Sequence, residues 1–394
     1  MIDKDQIRQQ LFERAQELVP ALRERAPEAE KLGYLPQATI DDFQEAGFFR
    51  ILQPQKWEGY ELTPKDFFEV QTKLAEGCMS SAWVLGVVAI HNWQLALFDD
   101  RAAQDVWEKD TSVLISSSYM PVGKVERVEG GFKLSGHWGF SSGSKHCEWA
   151  FLGAMVPPEN PGEAPDYRTF LVPRADYEIV DNWNVMGLQG TGSHDITVKD
   201  AFVPEYRTHR SLDGFAQNSP GNETNTDPLF RLPFGQIFVR AVSSSCIGAL
   251  RGALNDFIAF NKSRVALTTG QNVAQDPIAQ KAAADALRVV SELKTVMYSN
   301  FAKMEEAVNN GEELNIEDRV QWRYDSAMVA DRCADAITQL YLSCGSAGIR
   351  TDHQINRAFR DIQTGRTHVA NQPAKYANNF GGVTFGRETA DFFL

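Results

Sequence analysis

No stretch of this 394-residue sequence approaches the roughly 20 consecutive apolar residues that span a bilayer. The longest apolar run, Ala82 to Ile90, is short and meets His91-Asn92. The N-terminus, Met1-Ile-Asp-Lys-Asp-Gln, is polar at once and lacks the apolar region of a signal peptide. Cysteine is scarce: Cys78, Cys147, Cys246, Cys333 and Cys344 are odd in number and irregularly spaced, which fits reduced thiols rather than a disulfide framework or a zinc site. No metal is expected. Positive charge is in deficit. A net charge of -13 without any Lys/Arg block repels nucleic acid and anionic lipid. Nucleotide-binding signatures are missing as well. Gly187-Leu-Gln-Gly190-Thr-Gly192 has the wrong spacing for a dinucleotide fingerprint, and there is no phosphate loop, His-Glu-x-x-His or Gly-x-Ser-x-Gly. These absences count against a self-contained NAD(P)H oxidoreductase, a kinase and a serine hydrolase. The expectation is a soluble, cytoplasmic protein with no nucleic-acid or membrane partner, in which any nicotinamide is consumed by another protein.

The 43% of apolar residues suffices for two or three structural units. Ile7, Leu11, Leu18 and Leu22 recur at helical spacing. Pro36 to Thr39 leads into a helix through Phe43 and Ala46, which Gly47 stops. Residues 64–76 read as an amphipathic helix opened by Pro64, and 79–98 as a more buried one. Beyond residue 112 the period changes. Val125–Val128 and Phe132–Leu134 alternate around Gly130-Gly131, a hairpin signal. Trp149–Val156, Thr169–Val172, and the pair Ile196–Val198 and Ala201–Val203 on either side of Lys199-Asp200 read as further short strands of a barrel-like unit. Ser211 to Asp227 is a long polar connection. Residues 237–262, 277–309 and 317–343 then carry long helical periodicity, with a shorter helix around 352–363, the pattern of a bundle. The fold class expected is mainly α with a central β domain: a helical domain over 1–112, a β-barrel over 113–210 and a four-helix bundle over 228–394.

Four clusters suit chemistry. Trp83 and His91 lie eight residues apart, so they share roughly one helix face, although a core Trp and a satisfied His fit the same spacing. Ser116-Ser117-Ser118-Tyr119-Met120 offers hydroxyls at a helix-to-strand transition, as donors to a ligand or as a turn. Trp138-Gly-Phe140-Ser141-Ser142-Gly143 ends a strand; Gly allows close backbone approach, and Ser is a small neutral hydrogen-bonding group. Arg360-Asp361 and Gly365-Arg366-Thr367-His368-Val369-Ala370-Asn371 follow the last good helix, in a loop, where a His suits acid–base work.

Together these clusters resemble one family. Gly47-Phe-Phe-Arg-Ile-Leu-Gln-Pro-Gln, His91-Asn-Trp-Gln-Leu-Ala-Leu-Phe-Asp, Ile115-Ser-Ser-Ser-Tyr, Ser141-Ser-Gly143, Gly187 to Ser193 and Gly365-Arg-Thr-His368-Val-Ala-Asn look like the oxygenase component of two-component flavin-dependent monooxygenases, which share the acyl-CoA dehydrogenase fold. The resemblance runs from about residue 10 to about 385. It is nearest to the steroid-degrading hydroxylases that act on 3-hydroxy-9,10-secoandrosta-1,3,5(10)-triene-9,17-dione, and more distant from the 4-hydroxyphenylacetate 3-hydroxylase oxygenases. It implies ortho-hydroxylation of a small phenolic substrate by O2 and reduced FMN or FAD, through the flavin C4a-hydroperoxide. It also implies a separate NAD(P)H-dependent flavin reductase and a homotetramer. By resemblance, Trp83 lines the flavin and substrate pocket, and Ser142 bonds flavin N5. His91 and Ser117 contact the substrate or its hydroxyl, with Tyr119 and Met120 beside them. His368 is the base. Ser116, Ser118, Ser141, Gly143, Arg264, Ser346 and Arg366 complete the cofactor set. Three departures stand out: Ala266 where relatives carry a second Arg, Gln372-Pro373 where an aspartate is common, and a different tail after Phe385.

The residue types suit that reaction. A neutral serine at N5 offers no mobile acidic proton, and Trp83, Trp138, Phe140 and Met120 are candidates for a water-poor wall. Phenol titrates near about pH 10 and histidine near about 6.5, so the base must act within a preorganised hydrogen bond. Two rivals keep the fold. An acyl-CoA dehydrogenase needs a carboxylate base, and 364–372 holds no Asp or Glu. A monooxygenase acting on indole, sulfur or nitrogen stays open.

Overall fold

In the computed structural model, which describes residues 3–394 except 159, 161, 163–164 and 266–269, helices come first. They are α1 (Lys4–Leu32), α2 (Gln37–Ala46), α3 (Pro64–Ala75), α4 (Met79–Leu95) and α5 (Asp100–Trp107). The signals read from sequence act as read: Gly47 takes the left-handed conformation that ends α2, and Thr63 with Asp66 forms a capping box ahead of Pro64 at the start of α3. Helix α4 stops at Leu95 rather than residue 98, where the chain turns toward the Asp99 cap of α5. All 17 of its residues are buried, so it is apolar on every side and packs as a central post.

Seven strands follow: β1 (Ile115–Val128), β2 (Gly131–Ser141), β3 (Trp149–Val156), β4 (Asp166–Pro173), β5 (Tyr177–Val180), β6 (His194–Pro204) and β7 (Thr208–Arg210). Their order is β5-β6-β2-β1-β3-β4-β7, with β1 and β3 parallel and the other pairs antiparallel. The expected barrel is not closed: among the described residues the end strands β5 and β7 do not pair with each other, and the sheet is open. Strand β1 belongs to both halves, pairing β3 through Ile115–Ser118 and β2 through Lys124–Val128, with its register broken between Ser118 and Gly123. Gly123 is required at that bend, since a Cβ there would lie 2.7 Å from both Ala154 and Trp138. The two short strands expected around Lys199-Asp200 are one strand, β6. Asp200 (φ +52°) makes a bulge there, not a turn, and both flanks stay paired to β2.

The polar connection holds a short helix, α6 (Ser211–Phe215), and one 3₁₀ turn (Pro220–Glu223) rather than open loop, and a second turn (Pro228–Arg231) follows it. Then come α7 (Phe234–Asn261), α8 (Pro277–Asn309), α9 (Ile316–Ser343), α10 (Gln354–Arg366) and an unexpected α11 (Pro373–Thr384). Helix α7 is long and apolar enough to cross a membrane by length and composition, but its apolar window is 89% buried inside the protein. One apolar cluster runs from Leu11 to Ala370 and joins the first helices to the last ones; the sheet has a separate core around Trp138, Phe132 and Phe170. The changed position Ala266 lies outside the described residues.

Candidate active site

Helix α4, the end of β2 and the α10–α11 connection meet at one place. Arg360, Asp361, Gly365 and Arg366 are not in a loop but in α10; only Thr367 onward leaves the helix. His368 follows directly and caps the next 3₁₀ turn, accepting the Ala370 N–H on Nδ1 at 3.1 Å. Its imidazole stands edge-on to the Trp83 indole, with ring centres 5.7 Å apart. At Gly365 a Cβ would come within 3.0 Å of Met79 and just reach contact, at 3.4 Å, with Trp83 and Cys246. Trp83 Nε1 donates to Ser142 Oγ at 3.3 Å. Gly143 (φ +72°) is needed there: a Cβ would sit 2.9 Å from Val84 on α4. Trp83, Ser142, Gly143 and His368 are thus brought together as the sequence suggests.

His91 points elsewhere on α4. Its Nδ1 donates to the Ile115 carbonyl at 2.5 Å. The ring is walled by Tyr119 (6.1 Å), Phe151 (5.7 Å) and Phe238 (6.4 Å). Nε2 is buried with no hydrogen-bond partner among the described residues. Trp83 and His91 therefore touch different neighbours, because eight residues of helix leave them about 80° apart around the axis. Burial pushes both His91 and His368 down from 6.5 to about 4, with the Arg323 charge adding to the effect at His368.

Strand alternation divides the serines. Tyr119 faces the His91 side, where its hydroxyl donates to Gln94, and Ser117, two residues earlier on the strand, shares that face. Burial raises the Tyr119 phenol well above its ordinary 10.0. Ser116 turns toward Tyr177 in the core of the sheet, and Ser118 donates to the Gly139 carbonyl at 2.7 Å. Ser141 is fully buried, and its Oγ has no partner among the described residues.

The four residues of the expected apolar wall are dispersed in this chain. Trp138 is locked in the sheet core by its bond to the Gly153 carbonyl (2.8 Å), Phe140 is 67% exposed, and Met120 is 41% exposed. Of the four, only Trp83 touches the enclosed group. Three cofactor candidates also lie apart from it. Arg264 bonds Asn261 at 3.2 Å and approaches Gly345, and Ser346 next to it is exposed. Arg366 pairs with Asp331 at 2.5 Å on the outer side of α10.

Sequence reasoning gives no role to three groups. Thr191 and Ser193, within the Gly187–Ser193 motif, extend the hydrogen bonding of Ser142 inward, with Ser193 2.7 Å from Ser142. Asp361 is buried and holds the Leu188 N–H at 2.6 Å, which ties the segment before β6 to α10. Buried Arg323 donates to the Ala370 carbonyl at 3.0 Å and covers the Tyr376 ring, bracing the turn that carries His368. Spacing alone gives no signal for contacts between elements so far apart in the chain. Among the described residues no group of His, Cys, Asp or Glu is arranged to hold a metal ion.

The family model "Acyl-CoA dehydrogenase, C-terminal domain" matches residues 241–373. The chain is 38% identical over 384 residues to the flavin-dependent monooxygenase oxygenase subunit HsaA of Rhodococcus jostii (strain RHA1), covering 96% of this chain and 99% of that protein. It is 28% identical to the oxygenase component of p-hydroxyphenylacetate 3-hydroxylase of Acinetobacter baumannii, over 96% of this chain and 89% of that one. The crystal structure of 3-HSA hydroxylase from Rhodococcus sp. RHA1 superposes with a TM-score of 0.93 at 36% identity, over 98% of this chain and 99% of that one. The fold is therefore acyl-CoA dehydrogenase-like, and the chain belongs to the flavin-dependent monooxygenases, as an oxygenase subunit.

Proposed function

We propose that this subunit hydroxylates a phenol ortho to its hydroxyl, using O2 and a reduced flavin delivered by a separate NAD(P)H-dependent reductase. The observation that carries this reading is a buried, neutral, unsatisfied imidazole within an aromatic enclosure. Among the described residues His91 Nε2 has no partner, and Ser142, already bonded to Trp83 and Ser193, keeps one lone pair. A buried polar atom left unpaired costs about 1–3 kcal/mol, and a ligand that supplies the missing bond recovers it.

The residues fit a flavin. Ser142 would meet N5, Trp83 would flank the ring system, and the unpartnered Ser141 Oγ lies next along the strand. Arg264 and Ser346 would serve the phosphate end; their half-exposed corner suits a site completed by a second copy of the chain. Reduced flavin, when bound, supplies the activation of O2. The protein's own residues orient the phenol and move its proton. His91, whose ring faces Tyr119, accepts the phenol proton on Nε2 and so enriches the ring. His368, with Nδ1 occupied by the Ala370 N–H, presents Nε2–H as a donor. This differs from the assignment of His368 as base that the resemblance implies. Exposed Ile278, Leu287, Leu342 and Ile349 on and beside the long helices support a homotetramer.

Anaerobic titration with reduced FMN and reduced FAD, followed by mixing with O2 and a phenol series, tests the reading. The expected outcome is binding of reduced flavin and a catechol carrying one atom from ¹⁸O2. Oxygen consumed without any ring-oxygenated product across the series would overturn it.

A further inference from the structure

Four side chains form a buried line from α4 to the segment before β6. Trp83 Nε1 donates to Ser142 Oγ (3.3 Å), and Ser142 Oγ lies 2.7 Å from Ser193 Oγ. Ser193 Oγ lies 2.7 Å from Thr191 Oγ1, which donates to the Leu188 carbonyl at 2.8 Å. Ser142, Ser193 and Thr191 are all at most 9% exposed.

The direction of the line follows from its anchor on the Leu188 carbonyl, taken with valence. A hydroxyl has one proton to give and two lone pairs to receive with. A carbonyl oxygen only accepts, so the Thr191 proton is committed to Leu188. Ser193 must then donate to Thr191, and Ser142 must donate to Ser193. The indole N–H only donates, and it occupies one Ser142 lone pair. What Ser142 has left to present is its other lone pair and no proton. The acceptor end is well fixed. Three donors share the Leu188 carbonyl, and the Thr191 hydroxyl makes the shortest contact (2.8 Å), against 3.1 Å for the Trp183 indole N–H and 3.1 Å for the Thr191 N–H, while the Leu188 N–H is held by Asp361. No member of the line titrates near neutral pH, so the direction does not change with pH.

We propose that Thr191 and Ser193 are positioning residues that lock the Ser142 hydroxyl as a hydrogen-bond acceptor, so that the site selects a flavin whose N5 carries a proton over one whose N5 does not. The inference rests on the reading that Ser142 faces flavin N5. The reduced ring is a donor at N5 and meets a lone pair. The oxidised ring has only a lone pair at N5, so it meets lone pair with lone pair. Product flavin, once oxidised, is thereby disfavoured at the same atom that held the reduced form. The energy at stake is that of one hydrogen bond made or lost, about five- to tenfold in affinity.

The test is the ratio of affinities for reduced and oxidised FMN, measured by anaerobic and aerobic titration, with thermal melting to verify folding. Parent protein should favour the reduced form. Thr191→Val frees the Ser193 proton, lets the line reverse, and should lower the ratio by about five- to tenfold. Ser193→Ala should do the same, by leaving Ser142 free to turn its proton toward the ring. Thr191→Ser keeps the hydroxyl and should retain the parent ratio, which a purely structural role for the methyl group would not give. If Ser142→Ala weakens reduced-flavin binding while Thr191→Val and Ser193→Ala leave the ratio unchanged, the relay is wrong although Ser142 is at the flavin. If Ser142→Ala alters neither affinity, the placement of Ser142 falls and the proposal with it. Should Thr191→Val fail to fold, Ser193→Ala against Thr191→Ser decides alone.

Discussion

His91 and His368 hold their protons on opposite ring nitrogens. His91 Nδ1 faces the Ile115 carbonyl and must carry the proton, which leaves Nε2 as a free lone pair. His368 Nδ1 receives the Ala370 N–H and must be the lone pair, which leaves the proton on Nε2. One imidazole is set to take a proton and the other to offer one, and burial keeps both neutral at pH 7.

Substitutions should separate these roles. His91→Ala should slow single-turnover hydroxylation by roughly 10²-fold or more, and raising the pH toward the phenol's own pKa should restore part of the rate. His368→Gln, which keeps an N–H donor, should retain more activity than His368→Ala, and neither should respond to pH in that way. Rescue of His368→Ala but not of His91→Ala at high pH would exchange the two assignments.

Acid should weaken the fold through three desolvated histidines. His91, His209 and His368 are each pushed down from 6.5 to about 4 by burial. The unfolded chain takes up their protons below about pH 6.5, whereas the folded chain resists until near pH 4. Their contribution is thus fully present above pH 6.5 and is lost as pH falls toward 4. His209 stacks on Phe98 and bonds Ser219 at 2.9 Å. His209→Asn should flatten part of the decline in melting temperature between pH 6.5 and pH 4.5. An acid limb identical to that of the parent would show that His209 is not among its causes.

Phe140 holds a left-handed backbone (φ +67°) while its ring is largely exposed. Such a conformation costs a bulky residue about 1–3 kcal/mol, and it aims the turn in which the Ser142 N–H bonds the Phe140 carbonyl. Phe140→Gly should therefore raise stability to denaturant by about 1 kcal/mol, the gain reduced by the entropy of glycine. With the turn loosened, more of the consumed O2 should appear as H2O2. A loss of stability in this variant would show that the ring, not the backbone, matters at this position.

Asp361 is a buried carboxyl raised from 3.8 to about 6, chiefly by desolvation. A raised acid costs the fold stability once it ionises, so the burden is absent at low pH and appears as pH rises through about 6. Asn keeps an oxygen for the Leu188 N–H and removes the charge. Asp361→Asn should match or exceed the parent in stability at pH 8, and Asp361→Ala should fall below both. Equal loss in both variants would mean that the charge itself is needed, through the nearby guanidinium groups of Arg360 and Arg357.

Periodicity and caps made most helices legible, because Gly47, Thr63-Pro64 and the long apolar stripes act over neighbouring residues. The open sheet was not legible. Whether β5 meets β7 depends on pairings between segments far apart in sequence, and alternation alone reads the same in either case. Asp200 illustrates the limit, since a polar dipeptide that looks like a turn is a bulge within one strand. In the site, motif resemblance picked out Trp83, Ser142, His91 and His368. It could not distinguish which face of β1 each serine takes, nor that Trp138 belongs to the sheet core. Thr191, Ser193 and Arg323 act only through contacts that folding creates.

The apolar cluster that unites Leu11 with Ala370 has a consequence for biosynthesis. Helix α4 leaves the ribosome long before α7 and α10, which pack against it, have been made. Until then its flanks find no native partner, while the sheet, with a core of its own, can close first. The nascent chain therefore carries a sticky, unfinished half through most of its synthesis, and refolding from denaturant should be slow and concentration-sensitive where folding under a chaperone's protection is not.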